Sequence, residues 1–100
     1  MHIYFIGIGG IGVSALARYY LQQGRKITGS DLESSEITEA LRKKGVKIII
    51  GKHKAENLPK GAQLLIFSPA VKSDNPELKE AKKRKIKIQS YPEALGQLTK

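Results

Sequence analysis

The sequence predicts a doubly wound α/β domain, a parallel five-stranded sheet in the order 3-2-1-4-5 with helices on both faces. Three observations carry it. Apolar runs of strand length alternate with segments of helical spacing along all 100 residues. A glycine turn, Gly7-Ile8-Gly9-Gly10-Ile11-Gly12, joins the first such run to the first helical segment. An acid, Asp31, closes the second run nineteen positions past Gly12, close to the ~20 that separate turn and acid in dinucleotide-binding folds. A Rossmann-like sheet with right-handed crossovers accounts for all three.

The elements follow in order. Ile3 to Ile8 is apolar and β-branched, too short for a helix, and reads as a buried strand. After Gly12, apolar residues recur at Val13, Leu16, Ala17, Tyr20 and Leu21, the spacing of a helix with one buried face. That helix is expected to end near Gln23, with Gly24 as its left-handed cap. Arg25 to Asp31 is the second strand. Ser34-Ser35 opens a helix that should turn Ile37, Ala40 and Leu41 inward, and Gly45 stops it. Val46 to Ile50 is the third strand. A polar connection from Gly51 to Gly61, with room for a short helical turn, leads to the fourth strand, Gln63 to Phe67. This strand is continuously apolar, as a central parallel strand should be. Asn75 caps a helix with Pro76 at its first position and Glu77 in its first turn, and the helix presents Leu78 and Ala81 inward. Its last turn is basic. Ile86 to Ile88 is an edge strand, and Tyr91 to Leu98 a last helix with Pro92 near its start.

Length allows one domain with a modest core. No apolar segment approaches membrane-spanning length and Met1 runs straight into the first strand, so no signal peptide and a cytoplasmic location are expected. The chain has no cysteine, which excludes disulfides and thiolate metal sites, and two histidines, His2 and His53, make no metal cluster. Net charge is +9, gathered at Arg42–Lys44, Lys52–Lys54 and Lys79–Lys87. Aromatic residues do not interleave with these runs and no nucleic-acid motif is present. The lysines are therefore expected on solvated outer faces, with neither nucleic acid nor membrane as partner.

In the glycine turn, Gly7 permits the tight bend, Gly9 lets backbone approach a phosphate, and Gly12 lets the helix pack close to the strand. The first N–H groups of the helix and its positive dipole end then face an anion. No lysine stands in the turn, so it is not an ATP-gripping G-x-x-x-x-G-K-[ST] loop. Asp31 is expected to hold a ribose hydroxyl, with capping of local structure as the other reading. In a 3-2-1-4-5 sheet the switch point lies between strands one and four. The glycine turn and Ser68-Pro69-Ala70 would face each other there, and Asp31 and the loop carrying His53 would line the far side.

The segments Gly7 to Ala17, Thr28-Gly29-Ser30-Asp31, His53 with Glu56-Asn57, Ser68-Pro69-Ala70-Val71 and Asp74-Asn75-Pro76-Glu77 resemble the beginning of Mur ligases, the amide ligases of peptidoglycan synthesis. The resemblance covers nearly the whole chain, to about Leu98. It implies an N-terminal domain, residues 1–100, that binds the UDP part of UDP-N-acetylmuramate. Gly9, Gly10, Ile11 and Gly12 would donate N–H groups to the diphosphate and Asp31 would contact the uridine. Ser68, Pro69 and Ala70 would flank it, and His53 maps to the uridine side, where an exposed loop histidine is the other reading. The family continues into a central ATPase domain and a C-terminal amino-acid-binding domain, which bind ATP, Mg²⁺ and the amino acid. None of their motifs occurs here. The resemblance thus implies a piece of an ATP-dependent ligase that binds no cofactor and has no catalytic residue, hence is inactive alone.

Two other functions fit part of the pattern. An NAD-binding domain of an oxidoreductase shares the turn and Asp31 but leaves Asp74-Asn75-Pro76-Glu77 unexplained. A regulatory nucleotide-binding module fits the missing catalytic motifs and explains none of the ligase-like segments.

Overall fold

A computed structural model describes residues 1–99. The strands are β1 (His2–Ile6), β2 (Lys26–Asp31), β3 (Lys47–Ile50), β4 (Leu64–Phe67) and β5 (Lys87–Ser90). The helices are α1 (Ile11–Gln22), α2 (Glu36–Lys43), α3 (Pro76–Lys83) and α4 (Tyr91–Leu98), with a 3₁₀ turn at Ala55–Asn57. All neighbouring strands pair in parallel, in the order β3-β2-β1-β4-β5, as the alternation of elements predicts. Among the described residues no helix is long and apolar enough to cross a membrane.

The period of two along the strands divides the core into two layers. Ile3 and Phe5 of β1, with Ile27, Ile48, Leu64 and Ile66, face α1, α2 and α4. Tyr4 and Ile6, with Leu65, face α3 and the connection that contributes Leu58 and Ala62. The inward stripe of α2 centres on Leu41 between Ile37 and Thr38. Thr38 is buried and Ala40 exposed, which corrects the expected inward Ala40. Thr38 gains its place because its hydroxyl also completes a capping box with Ser35.

Element ends follow local chemistry. Gly24 and Gly45 take positive φ, 82° and 94°, just past α1 and α2. Asn75 Oδ1 accepts from the N–H groups of Glu77 and Leu78, and Ser90 forms a capping box with Glu93. The helix α1 differs, since Gly10 offers no side-chain cap. It also begins at Ile11, so Gly12 lies inside the first turn. The basic runs end on exposed surface, at Lys43, Lys44, Lys82 and Lys83, as expected of solvated faces.

Candidate functional site

At the carboxyl end of β1 the chain must reverse within a few residues. Gly7 does so at φ 77°, and a Cβ there would stand 2.8 Å from the Cβ of Ser68. The turn is thus pressed against the end of β4, and only glycine meets both demands. Gly7 and Ile8 donate to the Ser30 carbonyl at 2.9 and 3.1 Å, anchoring the turn to β2.

Gly9 and Gly12 of the motif also make room for protein atoms. A Cβ on Gly9 would lie 2.8 Å from Asp31 Oδ2 and 3.1 Å from Thr38 Cγ2. The small residue therefore makes room for a protein carboxylate. A Cβ on Gly12 would meet the Tyr91 ring, 2.7 Å from its Oη, so the small residue permits close packing between α1 and α4.

Asp31 sits at the carboxyl end of β2, half-buried. Its Oδ2 accepts the Gly9 N–H at 2.8 Å and its Oδ1 the Glu33 N–H at 3.4 Å. Gly10 donates to the Gly7 carbonyl at 3.1 Å. The N–H groups of Ile11, Gly12 and Val13 have no acceptor among the described residues. An uncapped helix start is a ready anion site, because these N–H groups point out along the axis from the positive dipole end. Opposite, the Ser68 hydroxyl accepts the Ala70 N–H at 3.2 Å and shapes the exposed Ser68-Pro69-Ala70 turn.

His53 lies in the connection after β3, and a residue that sequence reasoning missed fixes it. Glu77, at the second position of α3, is 0% exposed. Its Oε1 accepts from Tyr4 Oη at 2.7 Å and Ser30 Oγ at 2.6 Å. Its Oε2 accepts from Asn57 Nδ2 at 2.9 Å and the Lys54 N–H at 3.3 Å, and lies 2.9 Å from His53 Nδ1. Burial alone would push the carboxyl up, but hydrogen bonds from Ser30, Tyr4, Asn57 and His53 outweigh it and hold Glu77 below its ordinary value. Burial conversely pushes the Tyr4 hydroxyl far up, so it stays a donor. The four-residue segment Asp74–Glu77 carried the signal for this hub, but a first-turn acid reads as dipole complement until its partners are seen.

These parts border one open cleft of about 750 Å³ at the β1/β4 switch point. Gly9, Gly10, Asp31, His53, Ser68 and Ala70 line it, while Ile11, Gly12 and Pro69 stand outside its wall. Lys52 and Lys72 supply positive charge at its rim, where the carboxylates of Asp31, Glu33 and Asp74 outnumber them. Among the described residues no group of three His, Cys, Asp or Glu could hold a metal ion.

Fold and cleft define a doubly wound α/β domain with a glycine turn at its switch point, the class whose ligands lie across the carboxyl ends of the strands. The chain belongs to the Mur ligase family. A family model described as "Mur ligase family, catalytic domain" matches residues 2–100. A UDP-N-acetylmuramate–L-alanine ligase of Clostridium botulinum (strain Langeland) is 52% identical over 99 residues, which are 99% of this chain and 21% of that protein. The ligase of the same name from Campylobacter jejuni (strain 81116) is 54% identical over 94 residues, 94% of this chain and 21% of its own length. The crystal structure of UDP-N-acetylmuramate-alanine ligase MurC from Thermotoga maritima superposes with TM-score 0.89 at 39% identity, over 95% of this chain and 22% of that one. The chain thus spans about a fifth of the length of the relatives it matches.

Proposed function

We propose that this chain is the UDP-binding, N-terminal domain of an ATP-dependent UDP-N-acetylmuramate–L-alanine ligase of peptidoglycan synthesis. The observation that carries the reading is the cleft itself. It gathers the glycine turn, Asp31, His53 and Ser68 from four separate segments at one switch point, and the similar proteins carry that ligase's name. The diphosphate lies along Gly9 and Gly10 in the cleft and reaches past its wall to the open N–H groups of Ile11 and Gly12 at the start of α1, with Lys52 or Lys72 as counter-charge. The Gly9 N–H is already engaged by Asp31, so Gly9 and Gly10 serve as a backbone wall without side chains. Asp31 braces the turn and offers its remaining lone pairs to a ribose hydroxyl. His53, Ser68, Pro69 and Ala70 frame the nucleoside, and the sugar and lactyl arm point out toward the rest of the ligase.

ATP and Mg²⁺ are assigned to other domains on the family resemblance and on the turn, which has no lysine and is not an ATP-gripping loop. Both belong to other parts of the full-length ligase, as do amide-bond formation and the amino acid. The protein works where its cytoplasmic nucleotide-sugar substrate is made.

Calorimetry tests the reading. UDP and UDP-N-acetylmuramate should bind this chain with affinities within about threefold of each other, and with ATP, Mg²⁺ and alanine added no phosphate should be released. A ligand that binds only with its sugar intact would show that the UDP end is not held here, and phosphate release that co-purifies with the chain would refute its inactivity.

A further inference from the structure

The most heavily built polar feature beneath the cleft is Glu77, and the binding reading above leaves it without a task. Five donors converge on its two oxygens: Tyr4, Ser30, Asn57, the Lys54 N–H and His53. A carboxylate surrounded in this way has no room for a proton of its own and acts purely as acceptor. Whatever faces it must donate. His53 Nδ1 is 2.9 Å from Oε2 and 3.3 Å from Ser30 Oγ. The Ser30 proton is committed to Glu77 Oε1 at 2.6 Å, so Ser30 too can only accept from the imidazole. Both neighbours therefore select a proton on Nδ1. The other ring nitrogen, Nε2, has no hydrogen-bond partner among the described residues and is not sealed from solvent. It is the ring edge left open, on a residue that lines the cleft.

We propose that Glu77 is a positioning residue for ligand recognition: it fixes the neutral form of the His53 ring as the Nδ1–H tautomer, in which Nε2 is presented to the cleft as a hydrogen-bond acceptor. The inference rests on the UDP reading for its ligand. A bare Nε2 pairs with a donor, and UDP carries donors on its ribose hydroxyls and uracil N3–H, whereas its phosphates only accept. In this neutral tautomer His53 therefore serves nucleoside recognition and not the diphosphate. Asn57 and the Lys54 N–H, bound to the same oxygen, hold the flanking connection so that the imidazole cannot swing away. Arg84 ties the connection down from α3, donating to the Leu58 and Pro59 carbonyls at 3.2 and 3.1 Å. This second-layer arrangement resembles the way a carboxylate fixes tautomer and orientation of functional histidines elsewhere.

The experiment reads the ring nitrogens of His53 by two-dimensional ¹H–¹⁵N NMR, at a pH where the ring is neutral, in the ligand-free chain. A protonated Nδ1 and a bare Nε2 are expected; a predominant Nε2–H tautomer overturns the inference whatever UDP does. In Glu77→Gln the carboxamide can donate to Nδ1, so the tautomer preference should be lost or reversed. UDP affinity should fall about tenfold, with inorganic pyrophosphate binding at the turn unchanged. Folded Glu77→Gln with wild-type tautomer and wild-type UDP affinity overturns the proposal. If that variant does not fold, the wild-type ring decides. UDP that leaves every cleft signal unmoved sinks the UDP reading and the ligand half of this inference, while the tautomer is still read in the free protein.

Discussion

Asp31 shows how a single residue can satisfy two readings at once. Its position at the end of β2 was legible from spacing, and so was its nearness to the turn. Its contact with the Gly9 N–H was not, because no sequence pattern records which carboxylate oxygen a backbone N–H will choose. Asp31→Ala removes the acceptor from Gly9 and from Glu33. Loss of a charged hydrogen bond predicts UDP binding weaker by about 1.5–3 kcal/mol, and the loosened turn predicts stability lower by about 1 kcal/mol. Calorimetric titration beside a melting curve measures both, and a loss of stability with unchanged affinity per folded molecule would leave Asp31 as a brace alone. Gly9 and Gly12 carry the same lesson. Their smallness was legible, but the atoms they make room for, Asp31 Oδ2, Thr38 and the Tyr91 ring, come from segments far along the chain. Glu77 reads in the sequence as a helix-start acid, and its burial as a hub is illegible there for the same reason.

At the scale of elements, caps separate α1 from the other helices. Ser35, Asn75 and Ser90 cap α2, α3 and α4 through their side chains, and the first two were legible in the sequence at or next to a helix start. The first turn of α1 has only Gly10 before it. Gly10 has φ −63° and ψ 147°, open to any residue, and its nearest potential Cβ contact is 3.5 Å away. Gly10→Ser therefore fits without strain and supplies the missing cap. It should leave stability unchanged or raise it by a few tenths of a kcal/mol, while its hydroxyl occupies the N–H groups proposed for the diphosphate. UDP affinity should then drop about tenfold, worth about 1.4 kcal/mol. Unaltered affinity in the stabilised variant would place the diphosphate elsewhere. The order and type of every element were legible because parallel strands of this kind are apolar runs and the helices carry their own start and stop signals. Strand ends moved by a residue or two, where hydrogen-bond register and not hydrophobicity decides them.

For the whole molecule, burial of titratable groups sets the response to acid. Glu77 is held below its ordinary value of 4.5, so its contribution to stability is complete above that pH and is lost as pH falls through the folded value. His2 is buried against Thr28, 2.8 Å from its Oγ1. Burial first, then Lys26 and the N-terminal charge, holds its pKa below 6.5. The folded chain keeps it neutral while the unfolded chain takes a proton, so stability also falls as pH drops below 6.5. Both act in the same direction. The melting temperature should fall gently below that pH and more steeply below 4.5, and Glu77→Gln should flatten the steeper limb. A wild-type melting temperature that is flat from neutral pH to about pH 3 would contradict this assignment of buried charge.

The central claim is that the cleft holds UDP, and its closest rival is NAD, which shares the diphosphate turn. The base and ribose end separates them. UDP would bring one pyrimidine nucleoside to the side of Asp31 and His53, whereas NAD would bring a larger adenine and a second nucleoside to be held as well. The deciding measurement is a backbone NMR titration with each ligand at equal concentration. UDP should shift Gly9–Gly12, Asp31, His53 and Ser68–Ala70, with a dissociation constant of about 1 mM, near −4 kcal/mol, and NAD should be much weaker. Tighter binding of NAD than of UDP at those same residues would contradict the account.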